Sequence, residues 1–118
     1  MDNNTSEAFP RKVRIVKTSD YRMIYKTGRR IHSERFVLFG RENGIGSHRL
    51  GITVSRKIGG AVIRNRLKRL FREVFRKSYG EIPGRLDLVV NAKAGCVGAS
   101  YQDLQAEFLA ATKKICRQ

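Results

Sequence analysis

The sequence predicts an α+β fold: a small two-layer sandwich of helices on a mixed sheet, in the order α-β-β-α-β-α. Three short apolar runs, Phe36-Val37-Leu38-Phe39, Arg49 to Ser55 and Leu86 to Val90, have strand length, and strand side chains alternate between two faces. Between the second and third runs lies a longer stretch, Ala61 to Tyr79, whose apolar residues return every three or four positions. That is the repeat of an amphipathic helix. A chain of 118 residues has room for a single core, so residues 1–118 are expected to form one domain.

Each element carries its own signals. Met1 to Pro10 is polar and expected to be flexible, and Arg11 to Lys17 is a basic lead-in. Thr18 or Ser19 is placed to cap a first helix, with Asp20 in its first turn and Gly28 at its end. Tyr21, Ile24 and Tyr25 share one face of that helix. A short extra strand fits near Ile31. In the next strand Phe36 and Leu38 point one way, Val37 and Phe39 the other. The turn formers of Glu42 to Ser47 suggest a hairpin into the following strand, where Leu50, Ile52 and Val54 face the core.

Lys57 to Gly60 reads as a basic loop before the long helix. Ile63, Leu67, Leu70, Phe71, Val74 and Phe75 then gather into one apolar face. Pro83-Gly84 breaks the chain ahead of the Leu86 to Val90 strand. A crossover through the long helix makes the flanking strands parallel if they pair. Ser100-Tyr101-Gln102-Asp103 resembles a capping box, and Leu104, Phe108, Ala111 and Ile115 line the last helix. The helices are expected mainly on one face of the sheet.

Charge narrows the function. Lys and Arg number 25 against 10 Asp and Glu, a formal net charge of +15. Such a surplus repels itself in a folded chain and calls for a polyanionic partner. Eight of these cations, Arg56, Lys57, Arg64, Arg66, Lys68, Arg69, Arg72 and Arg76, lie in or beside the long helix, where Glu73 is the one acid between Gly59 and Gly80. Intrahelical pairing cannot neutralise them, whereas phosphates can. Nucleic acid is therefore the leading partner. Asn65 lies in the same sector and is a candidate for a base or ribose contact. The backbone of the Gly59-Gly60 loop either makes a tight turn, binds a phosphate, or does both.

Other chemistries find little support. The loop is not GxxxxGK[ST], so it is not a nucleotide-hydrolysing P-loop. His32 and His48 lack metal-ligand spacing, and Ser55, Ser78 and Ser100 lack a His–Asp context. Asp87 shows no carboxylate partner nearby, and a protein nuclease would want clustered acids for metal ions. No catalytic residue and no metal ligand is assigned. Cys96 and Cys116 read as a loop thiol and a thiol near the chain end, without a disulfide. The opening residues lack the apolar segment of a secretory signal, and no run approaches a membrane span.

Tyr21, Tyr25 and Phe39 stand open to two readings. They are core aromatics, or they are a platform on which unpaired bases stack. Phe39 lies on the strand face opposite Phe36 and Leu38, the face a small set of helices leaves less covered. A stacked base there contributes about 1–3 kcal/mol.

The segment Lys57-Ile58-Gly59-x-Ala61-Val62-x-Arg64-Asn65-Arg66-x-Lys68-Arg69-x-x-Arg72-Glu73 closely resembles the signature of the bacterial ribonuclease P protein family. Asp20-Tyr21-x-x-x-Tyr25-x-x-Gly28, Arg35 to Phe39 and Arg49 to Ser55 extend the resemblance, which covers about Arg14 to Ile115. It implies a ribonucleoprotein whose large RNA is the catalyst and which removes the 5′ leader of precursor tRNA by Mg²⁺-dependent hydrolysis, leaving a 5′-phosphate. The Mg²⁺ is expected to serve mainly the RNA subunit and the substrate phosphates.

The implied partners are the ribonuclease P RNA and precursor tRNA with its leader, with no membrane and no obligate protein partner, in the cytoplasm. The implied fold includes a left-handed βαβ crossover, against the usual hand. The implied roles are leader contacts for Tyr21, Tyr25 and Phe39, and RNA contacts for the basic helix and its loop. Family members often carry Phe where this chain has Tyr21 or Tyr25; the ring is kept and a hydroxyl is added. Composition alone would favour a general binder of structured RNA or a ribosomal protein.

Overall fold

The computed structural model describes residues 13–116; the expected flexible stretch Met1 to Pro10 lies outside them. Helix α1 (Thr18–Thr27) leads into β1 (Arg29–His32), β2 (Phe36–Glu42) and β3 (Arg49–Thr53). Helix α2 (Ala61–Ser78), β4 (Leu86–Ala92) and α3 (Tyr101–Cys116) complete the chain, with one 3-10 turn (Tyr79–Glu81) after α2 and another (Ala94–Cys96) before α3. The short strand expected near Ile31 is β1.

The sheet order is β1-β2-β4-β3. Strands β1/β2 and β2/β4 pair antiparallel, while β3 and β4 run parallel, joined by the α2 crossover. The hairpin expected between β2 and β3 is not formed, because β4 lies between them. The tight hairpin is β1–β2, where the Ser33 N–H donates to Phe36 O at 2.8 Å. The Asn43 to Ser47 turn formers instead make a loop that returns to the sheet. Asn43 Nδ2 donates to Ser47 O, and the Asn43 side-chain oxygen accepts the Ile45 N–H.

Alternation along the strands sorts side chains into two layers. Phe36, Leu38, Leu50, Leu88 and Val90 meet Leu67, Phe71, Val74 and Phe75 of α2 and Leu104, Phe108, Ala111 and Ile115 of α3 in the main core. Phe36 and Phe71 meet edge to face at 5.6 Å. Full burial of each such side chain stabilises the fold by about 1.5–3 kcal/mol. The expected apolar face of α2 is this contact, with Ile63 and Leu70 half-buried at its edges.

As expected, the helices lie mainly on one face of the sheet, where α2 and α3 share the main core. Helix α1 packs on the opposite face, where Ile15, Ile24 and Val89 form a second small cluster with Tyr21 and Phe39. Buried on both faces, β4 reads as a nearly continuous apolar run. Neither Thr18 nor Ser19 caps α1: the N-cap position falls on Lys17, without a side-chain cap hydrogen bond. Gly28 does end α1, its N–H donating to Ile24 O at 2.8 Å, and a Cβ there would lie 2.6 Å from that same oxygen. At α3, the Asp103 N–H donates to Ser100 Oγ at 3.1 Å, the N-terminal half of the expected box.

Two polar clusters brace one end of the sheet, where β3 and β4 begin side by side. His48, which lacks metal-ligand spacing in the sequence, is 2% exposed; its Nδ1 accepts the Leu86 N–H at 3.0 Å, and its own N–H donates to Tyr79 Oη at 2.9 Å. Asp87, also buried, accepts a two-pronged pair of bonds from Arg49 at 2.8 and 2.7 Å and a third from Asn43 Nδ2 at 2.8 Å. Burial alone would raise its pKa, yet these donors hold the carboxyl below the usual range. Cys96, expected as a loop thiol, is buried, and burial pushes it up to about 11. Both cysteines are free.

Candidate nucleic-acid interface

Register places Val37 and Phe39 of β2, Val89 and Asn91 of β4, and Gly51 and Thr53 of β3 on the face away from the main core. Arg30 and His32 of β1 pair with Phe39 and Val37 and extend the same surface. Helix α1 crosses this face and covers only part of it. Tyr21 and Tyr25, one turn apart on α1, stand over what is left, and both rings reach the sheet.

Those contacts fix the rings. Tyr25 and Phe39 meet edge to face with centroids 4.7 Å apart, and Tyr21 lies 6.4 Å from Tyr25. The Tyr25 hydroxyl donates to Asn91 Oδ1 at 2.9 Å and lies 3.4 Å from Thr53 Oγ1. Tyr21 rests on Gly51, where a Cβ would come within 2.5 Å of its hydroxyl oxygen. Burial and then the neighbouring Tyr25 raise the Tyr21 pKa, against the lowering influence of the Ile52 N–H and the Arg72 charge. The Arg30 guanidinium lies 6.0 Å from the Phe39 ring centre, within cation–π range.

The structure thus brings Tyr21, Tyr25 and Phe39 together, as a half-open aromatic surface with polar neighbours. Sequence reasoning missed Arg30, Gly51, Thr53 and Asn91. The period-2 register shows that Asn91 and Val89 share a face, but which strand lies beside β4 had to be known before Asn91 could be put under Tyr25.

Helix α2 carries the expected cations, though not in one stripe. At about 100° per residue, Arg64, Lys68 and Arg72 follow one flank, and Arg66, Arg69 and Glu73 the other. Arg72 lies close enough to Tyr21 to bear on its hydroxyl, so the first flank adjoins the aromatic face. Asn65, Arg66 and Arg69 are exposed. Glu73 is held below the usual carboxylate range mainly by Arg76, at 2.5 Å, with Lys77 at 3.3 Å. Arg76 is therefore already paired with an acid.

The start of α2 is open to anions. Gly60 occupies the N-cap without a side-chain cap, and the first turn carries no acid. Helical N–H groups there have no side-chain cap, and the exposed Arg56 and Lys57 lie just before them in the chain, an arrangement suited to a phosphate. Gly59 packs closely on the helix as well: a Cβ would sit 3.0 Å from Ile63 Cδ1. The Arg64 Nε donates to Gly59 O at 3.2 Å, which ties the loop to the helix.

Sequence and structure comparisons agree on the relatives of this chain. The family model described as Ribonuclease P matches residues 9–116. The ribonuclease P protein component of Thermotoga maritima is 45% identical over 85 residues, 72% of this chain and 73% of that protein. That of Desulfovibrio desulfuricans is 38% identical over 112 residues, 92% and 86% of the two chains. The solved ribonuclease P protein of Thermotoga maritima superposes with a TM-score of 0.79 at 36% identity, covering 86% of this chain and 96% of the other. The Staphylococcus aureus protein gives 0.75 at 32%, covering 89% and 98%. With its helices and mixed sheet matched over nearly their whole length, this chain belongs to the bacterial ribonuclease P protein family.

Proposed function

We propose that this chain, the accessory protein of a ribonuclease P, holds the catalytic RNA through α2 and its loop and holds the 5′ leader of precursor tRNA on the aromatic face. The observation that carries this reading is the junction of two unlike surfaces. A cationic flank, Arg64, Lys68 and Arg72, adjoins an aromatic face, Tyr21, Tyr25 and Phe39. Duplex or folded RNA offers phosphates to the first, whereas only unpaired nucleotides offer base faces to the second.

Each group then has a defined task. Arg56 and Lys57, beside the uncapped α2 N-terminus, bind backbone phosphate. Arg64, Asn65, Arg66, Lys68, Arg69, Arg72 and Arg76 supply charge and hydrogen bonds along the helix. Phe39 and the two tyrosines stack leader bases, and Arg30 lies where a passing phosphate would meet it. Binding the leader tightly holds the scissile bond in place, which lowers the entropy cost of reaching the transition state.

The chemistry itself is assigned to the RNA. Among the described residues no three His, Cys, Asp or Glu side chains gather to hold a metal ion. The buried acid, Asp87, is bound to Arg49 and Asn43. Mg²⁺ is assigned mainly to the RNA and the substrate phosphates.

Reconstitution tests the reading. Purified protein is combined with a bacterial ribonuclease P RNA and precursor tRNA at low Mg²⁺. The expected result is correct 5′ processing by the pair, faster than by RNA alone, and no cleavage by protein alone. Cleavage by rigorously RNA-free protein, abolished by Asp87→Asn, would overturn the division of labour.

A further inference from the structure

A second concavity lies along α2, beside the segment that leads into α3. It is an open groove of about 770 Å³ between Arg66, Arg69, Leu70 and Glu73 of α2 and the Cys96 to Ala99 segment that leads into α3. Its size falls within the range of about 300–1,000 Å³ that holds small planar ligands. Apolar groups line its base: Leu67 and Cys96 are buried, and Leu70 and Ala99 are partly covered. Gly98 carries the chain around the rim at φ +86°, with open space where a Cβ would stand.

The rim is cationic, carrying Arg66, Arg69, Arg72 and Arg76, and Arg66 and Arg69 keep their charge unspent. Glu73 is the groove's one acid, and it is occupied by Arg76 and Lys77. Arg66 and Arg69 make no hydrogen bond or ion pair with any described residue. An apolar base with free guanidiniums above it is poorly suited to a bare phosphate track, which needs no apolar surface. It is equally unsuited to a neutral apolar side chain, which would desolvate two cations without return. An unpaired nucleotide satisfies both parts: the base covers Leu70 and Ala99, and guanidiniums stack on it or reach its flanking phosphates.

We infer that this groove takes an unpaired, extrahelical nucleotide of the partner RNA, its base lodged between α2 and the Cys96 to Ala99 segment. The inference rests on the proposal that α2 faces RNA, and it adds a base-binding site distinct from the aromatic face. It makes the basic helix a reader of RNA shape as well as of charge. Its two flanks would then do different work: Arg64 and Lys68 beside the leader path, Arg66 and Arg69 at a bulged or looped nucleotide, with Arg72 lining the groove and also bearing on Tyr21.

Filling the groove without changing charge separates a lodged base from phosphate attraction. In Ala99→Leu the added side chain occupies the base position; Leu70→Gln keeps the volume and makes the wall polar. Affinity for a bacterial ribonuclease P RNA is measured at several KCl concentrations, with thermal unfolding of each variant as the folding control. The expected result for either folded variant is a loss of roughly tenfold to a hundredfold, with the slope of log affinity against log salt unchanged. Chemical probing should show one base that is protected in the parent complex and becomes reactive with Ala99→Leu. In contrast, Arg66→Ala and Arg69→Ala should lower both affinity and slope. Parent-like affinity and protection in both groove variants would overturn the inference while leaving the RNA-facing role of α2 intact. If the two arginine variants also bind like the parent, the assignment of this flank to RNA fails too.

Discussion

Gly51→Ala tests the aromatic face without touching an aromatic residue. A Cβ on Gly51 would lie 2.5 Å from the Tyr21 hydroxyl oxygen, 2.7 Å from Cζ and 2.8 Å from Cε1. All three are closer than real Cβ contacts allow, and a rigid ring cannot bend away, so Tyr21 must swing off the sheet. Ala itself is no burden to β3, since replacing Gly reduces the entropy of the unfolded chain by about 0.4–1 kcal/mol where the backbone permits. Stability should therefore change little while one stacking surface leaves its place.

If Tyr21 stacks on a leader base, the holoenzyme should lose about 1–3 kcal/mol of affinity for precursor tRNA, roughly 5- to 150-fold. Mature tRNA, which lacks the leader, should bind as before. The double variant Gly51→Ala/Tyr21→Ala should bind no worse than Tyr21→Ala alone, because the two changes remove one and the same contact. Equilibrium binding of both tRNAs to each reconstituted holoenzyme measures all of this. Full additivity, an equal loss for both ligands, or unchanged discrimination by Gly51→Ala would refute the reasoning.

Three further outcomes are expected. Phe39→Ala should lower precursor affinity by about 1–3 kcal/mol and spare mature tRNA; a large fall in melting temperature with equal loss for both would return the ring to a packing role. Arg64→Ala, Lys68→Ala and Arg72→Ala should each reduce the slope of log RNA affinity against log KCl by somewhat under one unit, with helix content by circular dichroism unchanged because Ala favours helix. Burial, aided by the Arg85 charge, lowers the pKa of His48 in the fold, so the unfolded chain takes up a proton first as pH falls. Stability from this residue is complete above about pH 6.5 and declines from there down to the folded pKa. Urea unfolding should show a shallower decline between pH 7.5 and 5 for His48→Gln than for the parent, and identical slopes would remove His48 as the cause.

What the sequence disclosed follows from how far apart the interacting residues are. Helix α2 was legible almost to the residue, because the repeat of Leu67, Phe71, Val74 and Phe75 is local and long. The aromatic trio was legible as a candidate because Tyr21 and Tyr25 are one turn apart and Phe39 alternates away from Phe36 and Leu38. Sheet order was not. The turn-rich Glu42 to Ser47 segment looks like a hairpin, and nothing local reveals that β4, more than 30 residues later, enters between β2 and β3. For the same reason the partners of His48 and Arg49, both 38 residues away, left no trace in the pattern. The α1 cap failed differently: Thr18 and Ser19 satisfy the compositional rule, but the helix already includes Thr18, which leaves the N-cap to Lys17.

The late arrival of β4 shapes how this protein becomes structured. Neither β2 nor β3 can find its main partner until residues 86–92 exist, and β3 has no other neighbouring strand in the sheet. A chain emerging in order from its N-terminus can form the β1–β2 hairpin and the turns of α2, yet its main core stays open while four-fifths of the sequence is made. Contacts of such long sequence separation carry a large loop-closure cost and slow the approach to the native state. Through that interval α2 displays its arginines on a helix whose apolar side has nothing to cover it. Closure of the core and presentation of a rigid cationic face are thus one event, timed by the insertion of a single strand.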